Sequence, residues 1–483
     1  MQNGEKKKLK RSMGLSDLVM FNIVAIVGLR WVAIAAGNGP QSIFLWFVAF
    51  LLFFIPSAFI VMELSSRFPQ EGGIYVWTRQ AFGEFDAYMC GFCYWVNNLI
   101  YYPSLLIFLS GIFLYVAGTK FLHLDNNPVY AVIFSLIALW FVVIMNMVGL
   151  KTGKWIQNLG SLGSWIPALF LIVAGVVAYF TSGSANTFSG NLIPDFKSIL
   201  VIAVISKLCF GFAGFELQSC MGEEIEKPRI NIPRAIIISG IVITVIYILG
   251  TTSLLVILPS KDINIISGVI QVIAKVGEKV GILWITPILA FLITLGGLGG
   301  CGACLSATAR IPFVIGIDRY LPEWIGRVHP KWGTPANAIL VQGIFSTVFI
   351  LMALGGNLKD SYLALLDATI VLYFIPYIYM FLSFIVIKMK DKKSGKKSPG
   401  IDKLQDVSDN QDEKPAGKQF DFPLWLGVLG LITTVGAILL AIAPPPDMKN
   451  VGLYELKVVG GSVLFILIGI ILFFTAKKKN KKT

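Results

Sequence analysis

Three ionisable residues stand in stretches apolar enough that each needs a reason to be there: Arg30, Lys207 and Glu216. Arg30 follows Gly28-Leu29, while Lys207 and Glu216 bracket Phe210-Gly211-Phe212-Ala213-Gly214. A charge at mid-bilayer costs about 2.5 to 3.5 kcal/mol even on the lenient insertion scale, so such a residue faces a partner or a wet cavity. A guanidinium in that position can grip a carboxylate through parallel N–H donors, which makes Arg30 a candidate anion contact. Two other readings stay open for it: a side chain reaching the membrane surface, or one neutralised by Glu216. Lys207 and Glu216 are candidates to carry a coupling proton. They are nine positions apart, about 13 Å of helical rise, so they are not a neighbouring pair. Glu216 is equally readable as a fixed acceptor for backbone N–H groups, and Asp367 is a weaker proton-site candidate.

The elements that hold these charges are interrupted. Gly211 and Gly214 each weaken a helix interior by about 1 kcal/mol relative to alanine, and the flanking aromatics keep the segment apolar. A break inside lipid strands N–H and C=O groups, which is tolerated only where protein, water or a ligand satisfies them. Arg30 sits beside a second break at Gly28. A pair of interrupted spans in corresponding halves points to a transporter's binding site, with a five-plus-five inverted repeat as the parent architecture. Glycines that only let helices pack closely are the plainer account.

Composition sets the setting. The 483 residues are 56% hydrophobic and 14% charged, with mean hydropathy +0.76. Apolar runs long enough for the ~20 residues of a crossing recur along the chain. Twelve spans are predicted, at residues 16–36, 41–62, 84–116, 128–148, 155–180, 199–219, 235–257, 282–308, 336–354, 361–387, 423–443 and 451–475. The expected fold class is therefore all-α integral membrane protein, with helices 1 and 6 discontinuous. The division reads as a tail at 1–15, a ten-helix core at 16–387, a polar loop at 388–420, two further helices at 421–476 and a basic tail at 477–483. The N-terminal apolar segment has no small-residue cleavage site and is expected to stay in the protein. Lys and Arg concentrate on the side of the N-terminus, which predicts cytoplasmic termini and anionic lipid as their partner. Nucleic acid is not expected, because the basic runs lack interleaved aromatics.

Enzyme chemistry has little to work with. The two histidines fall in predicted loops, no Gly-x-Ser-x-Gly is present, and no paired aspartates lie at catalytic spacing. Cys90, Cys93, Cys209, Cys220, Cys301 and Cys304 all lie in apolar segments. The two C-x-x-C spacings read as helix packing before metal or redox sites. No metal or cofactor is expected. Tyr373-Phe374 reads as packing. Three loops, Ser65 to Trp77, Glu223 to Pro233 and Asp318 to Pro335, combine aromatic or apolar residues with charge on one side of the membrane, and Asp391 to Gln419 reads as disordered.

The chain resembles the amino acid/polyamine/organocation transporter superfamily over residues 14 to about 387. The resemblance rests on Gly14-Leu15, Glu63-Leu64, the run Phe68-Pro69-Gln70-Glu71-Gly72-Gly73-Ile74-Tyr75-Val76-Trp77, Phe212-Ala213-Gly214-Phe215-Glu216, Lys227-Pro228-Arg229 and Asp318-Arg319-Tyr320-Leu321-Pro322. Ile263 to Val269 and Ala443-Pro444-Pro445-Pro446-Asp447 are similar to the glutamate:GABA antiporter branch. The resemblance implies alternating access and an amino-acid-like substrate. Its carboxylate would meet Gly28, Leu29 and Arg30, its ammonium the carbonyls of Phe210, Gly211, Phe212, Ala213 and Gly214, with Asn98 as a polar contact. Antiport or proton symport in a cytoplasmic membrane follows, with glutamate-type substrates favoured by the added positive charge. A polyamine or organic-amine carrier is the alternative, and a transport-dead sensor subunit a further one. Two departures stand out. Leu29 and Arg30 replace the small residues common in the first break, and Ser164, three residues before Pro167, stands where some branches carry a lysine, a charge that Lys207 would then supply.

Overall fold

The computed structural model describes residues 13–124, 127–188, 192–194, 199–264, 267–352, 354, 358–394, 420–443 and 451–480. These residues are helical apart from connecting turns and one isolated backbone bridge between Met13 and Ile225. In chain order the helices are α1 (Leu15–Ile26), α2 (Leu29–Ala36), α3 (Gln41–Ala49), α4 (Ile55–Arg67), α5 (Ile74–Phe82), α6 (Glu84–Ala117), α7 (Pro128–Val148), α8 (Leu150–Ser182) and α9 (Ile199–Phe212). After a 3₁₀ segment at Phe215–Glu224 come α10 (Pro228–Ile257), α11 (Gly268–Val280), α12 (Ile285–Thr308), α13 (Arg310–Ile317), α14 (Ala336–Met352), α15 (Leu358–Ser394), α16 (Leu424–Ala441), α17 (Val451–Glu455) and α18 (Gly461–Asn480). A π turn at Phe50–Phe54 joins α3 to α4 as one helix.

Among the described residues, nine helices are long and apolar enough to cross a membrane, and α1 with α2 makes a tenth as a pair bent by 40°. The predicted span at 336–354 corresponds to α14, a shorter apolar helix, and the one at 199–219 stops being α-helical at Phe212. Lipid-facing positions such as Ile137, Phe180, Ile241 and Leu439 are exposed apolar side chains, as a bilayer-embedded surface requires.

The centre of the bundle is built from α1, α6, α8, α10, α12 and α15. Small residues line the crossing of α8 and α12: a Cβ on Gly163 would come 2.7 Å from the Gly296 nitrogen, inside any real contact. Without side chains there the backbones touch, and dispersion replaces the hydrophobic effect as the packing force.

At one end of the bundle the three charged loops interlock. Gly72 N–H donates to the Cys220 carbonyl (3.0 Å) and Glu223 N–H to the Glu71 carboxylate (3.2 Å). Arg310 pairs with Glu224 (2.6 Å) and Glu71 (3.6 Å), all three buried, and also donates to the Ser306 carbonyl. Tyr75 O–H donates to Asp318 at 2.5 Å, and Arg79 pairs with the same carboxylate at 3.0 Å. Helix α15 runs to Ser394, past the end expected at 387, because its last turns find partners on α4: Lys388 with Glu63 (3.0 Å) and Asp391 with Arg67 (2.7 Å). The rest of the predicted polar loop, 395–419, lies outside the described residues.

Candidate binding site

Helix α1 stops at Ile26 because Val27 (ψ 99°) and Gly28 (ψ 110°) turn extended before Leu29 restarts the helix. Helix α9 stops at Phe212, and Gly214 adopts φ +124°, a conformation open to glycine and strained for other residues. One side chain ties the breaks together. The Tyr247 hydroxyl, on α10, accepts from Gly28 N–H (3.3 Å) and lies 2.6 Å from the Ile26 carbonyl and 2.9 Å from the Gly211 carbonyl. The Gly214 N–H is satisfied separately, by the Tyr377 hydroxyl at 3.0 Å. Orphaned backbone groups at both breaks are thus met by tyrosines from other helices.

Arg30 is 1% exposed. Its guanidinium carbon lies 4.4 Å from the Trp31 ring centre and 4.9 Å from that of Tyr101, and Tyr362 stands close by. None of its three guanidinium nitrogens has a hydrogen-bond partner among the described residues, and no ion pair joins it to Glu216. Leaving a buried charge without hydrogen bonds costs several kcal/mol, which the two aromatic faces offset only in part. Two cavities flank the first break. The first is lined by Gly28, Leu29, Arg30, Tyr101 and Ser164, among others, and the second by Trp31, Asn97, Asn98, Phe210, Ala213 and Tyr373. Ala25, Ile26 and Tyr101 line both.

The predicted substrate residues therefore divide. Gly28, Leu29 and Arg30 border one cavity, and Asn98, Phe210, Ala213 and Gly214 border the other. Gly211 and Phe212 pack instead against Trp46, with Phe212 also edge-on to Tyr247. Asn98 donates to the Tyr94 carbonyl of its own helix (2.8 Å), while the neighbouring Asn97 Oδ1 has no hydrogen-bond partner among the described residues. Glu216 is fully buried and is met by three tyrosine hydroxyls: Tyr94 at 2.7 Å, Tyr373 and Tyr377. Lys207 lies apart from the cavity linings, 3.5 Å from Asp367, whose other oxygen accepts from Tyr454 at 2.7 Å. Tyr373, expected to be packing, is both a cavity wall and a Glu216 donor. The missed signal was spacing: Tyr373 and Tyr377 are one helical turn apart, and Tyr94, Asn98 and Tyr101 recur on one face of α6. Among the described residues no group of three or more His, Cys, Asp or Glu is gathered as a metal would need.

The amino acid permease family model matches residues 14–480. The chain belongs to the amino acid permease family. This places the permease among membrane transporters and not among enzymes, as its motifs imply. It is 29% identical over 95% of its length, and 96% of the relative's, to an uncharacterised transporter of Legionella pneumophila. It is 25% identical to a probable agmatine/putrescine antiporter of Lactococcus lactis, covering 97% of the permease and 95% of that protein. A glutamate/gamma-aminobutyrate antiporter of the same species is 24% identical over 83% of the permease and 77% of its own length.

Proposed function

We propose that this permease is a secondary active carrier that moves amino acids across the cytoplasmic membrane by exchange or with protons, and that it prefers anionic substrates of the glutamate type. The observation that carries this is the buried Arg30 guanidinium, free of hydrogen bonds and bordering a cavity at the first helix break. A substrate carboxylate supplies the donors' missing acceptor, and a glutamate-type substrate carries two such groups. Lys207 and Glu216 are the proposed coupling residues. The proposed frame is twelve spans with a five-plus-five inverted repeat over 16–387, two further helices at 421–476, both termini cytoplasmic, and anionic lipids against the basic inner segments.

A diamine or organic-amine carrier is the second reading. The similarity to the agmatine/putrescine antiporter and the aromatic wall of Trp31, Tyr101, Phe210 and Tyr373 favour it, since ring faces attract cations. Against it, the Glu216 oxygens are already occupied by three hydroxyl donors.

Uptake of labelled glutamate, alanine, lysine and putrescine into proteoliposomes, with and without internal substrate, separates the two. Glutamate exchange that falls about tenfold to a hundredfold in Arg30→Ala, as loss of a charge-assisted hydrogen bond of about 1.5 to 3 kcal/mol requires, supports the anion reading. Putrescine exchange that outcompetes glutamate and survives Arg30→Ala replaces it with the amine reading.

A further inference from the structure

We propose that Asp367, held between Lys207 and Tyr454, is a proton-binding site whose occupancy sets the contact between α9 and α15 beside the second cavity. The inference rests on the reading of this chain as a coupled carrier and assigns the proton to a residue outside the cavity walls.

The cluster joins three elements. Asp367 on α15 is 1% exposed; Lys207 comes from α9, and Tyr454 from α17. Asp367 Oδ2 accepts from Tyr454, but among the described residues Oδ1 makes no hydrogen bond and has a 3.5 Å ion contact with Lys207. An ionised carboxylate in apolar surroundings with one oxygen lacking a hydrogen bond is incompletely solvated, and a proton on that oxygen removes the deficit. Lys207 is the partially exposed member, at 20% for its side chain, so the ammonium has a direction in which to withdraw once its partner is neutral.

Among the described residues, Lys207 and Tyr454 are the charged and titratable side chains that reach Asp367, and Tyr362, five residues earlier on the same helix, lies within the influence of both Asp367 and Arg30. Helix α16 packs on α9 and α15 but carries no titratable side chain along Leu424–Ala441, and Glu455 and Lys457 beside Tyr454 are exposed. From α6, Tyr101 stands against Arg30. Tyr362 is fully buried and its hydroxyl has no hydrogen-bond partner among the described residues.

The proton step balances simply. A proton from water bonds to Asp367 Oδ1, the ion pair with Lys207 is lost, and Lys207 remains an ammonium. The α9–α15 contact loosens at that point, one turn from Phe210, which meets Tyr373 edge-on at 5.1 Å in the wall of the second cavity. Proton occupancy and substrate occupancy then act on the same pair of helices, which is what coupling requires.

The test uses the full chain in proteoliposomes containing a trapped pH dye, with labelled glutamate and putrescine as probes. In Asp367→Asn, the proposal expects the pH dependence of exchange to flatten and substrate-driven proton movement to disappear. Should Asp367→Asn be inactive because Lys207 is left unpaired, the doubly neutral Asp367→Asn/Lys207→Met variant is expected to exchange without pH dependence. Wild-type pH dependence and proton movement in Asp367→Asn overturn the proposal. So does inactivity of both variants with wild-type thermal stability, which makes the pair structural. Wild-type exchange without any proton movement overturns it while leaving the carrier reading intact. Wild-type protein that moves neither probe is instead a failure of the substrate assignment, recognised before any variant is made.

Discussion

At the scale of single residues, Tyr247 does the most with the least. Its hydroxyl has one proton, yet it lies within hydrogen-bonding distance of carbonyls from both interrupted helices while accepting an N–H from the first. Tyr247→Phe keeps the ring, which stacks on Trp46 at 4.5 Å, and removes only the bridge. Orphaning buried backbone groups costs about 1 to 3 kcal/mol, so the variant is expected to melt at lower temperature in detergent. It is also expected to exchange more slowly, because the spacing between the breaks is no longer held. Unchanged melting and exchange would mean that water takes over the bridge.

At the scale of elements, α8 and α12 cross on bare backbone, and this crossing carries the wall of the first cavity through Gly163, Ser164 and Gly296. Gly163→Ala forces the helices apart and is expected to cost about 1 to 3 kcal/mol, as overpacking does, read as lost thermal stability and weaker substrate retention. The positions of the breaks were legible because glycine beside charge in an apolar run has few other meanings. Their satisfaction was not legible. Tyr247 is more than 200 positions from Gly28, and no local pattern marks a tyrosine that bridges segments brought together only by folding. For the same reason Lys207 could be picked out as an anomaly while its partner, Asp367, remained a separate and weaker candidate. Asn98 and Phe210 were placed on the site by resemblance, whereas the aromatic clamp on Arg30 follows from two helices meeting, Trp31 on α2 and Tyr101 on α6.

At the scale of the whole molecule, one end is bolted by buried ion clusters that join the first loop, the 3₁₀ segment and α13. Glu71 lies outside the membrane-length helices, and its pKa is raised well above the ordinary carboxylate value, first by burial and then by the neighbouring Glu224. The folded state therefore binds this proton more tightly than the unfolded chain. The stability it contributes is fully present below the ordinary carboxylate pKa and is lost as pH rises through the raised value. Glu71→Gln, which stays neutral, is expected to raise the melting temperature at neutral and alkaline pH and to leave it nearly unchanged in acid. A melting temperature lowered at neutral and alkaline pH, and unchanged in acid, would show that the Arg310 contact outweighs the burial of the charge.

The six cysteines are all free and buried, and Cys304 lines the second cavity together with Trp31 and Asn98. This gives the native chain a built-in stopwatch. A small membrane-permeant alkylating reagent reaches that thiol when the cavity opens, so its labelling rate follows the fraction of time the cavity is open, without any engineered reporter. Bound substrate is expected to slow the clock, and any compound that slows it at low concentration identifies itself as a ligand before its transport has been measured.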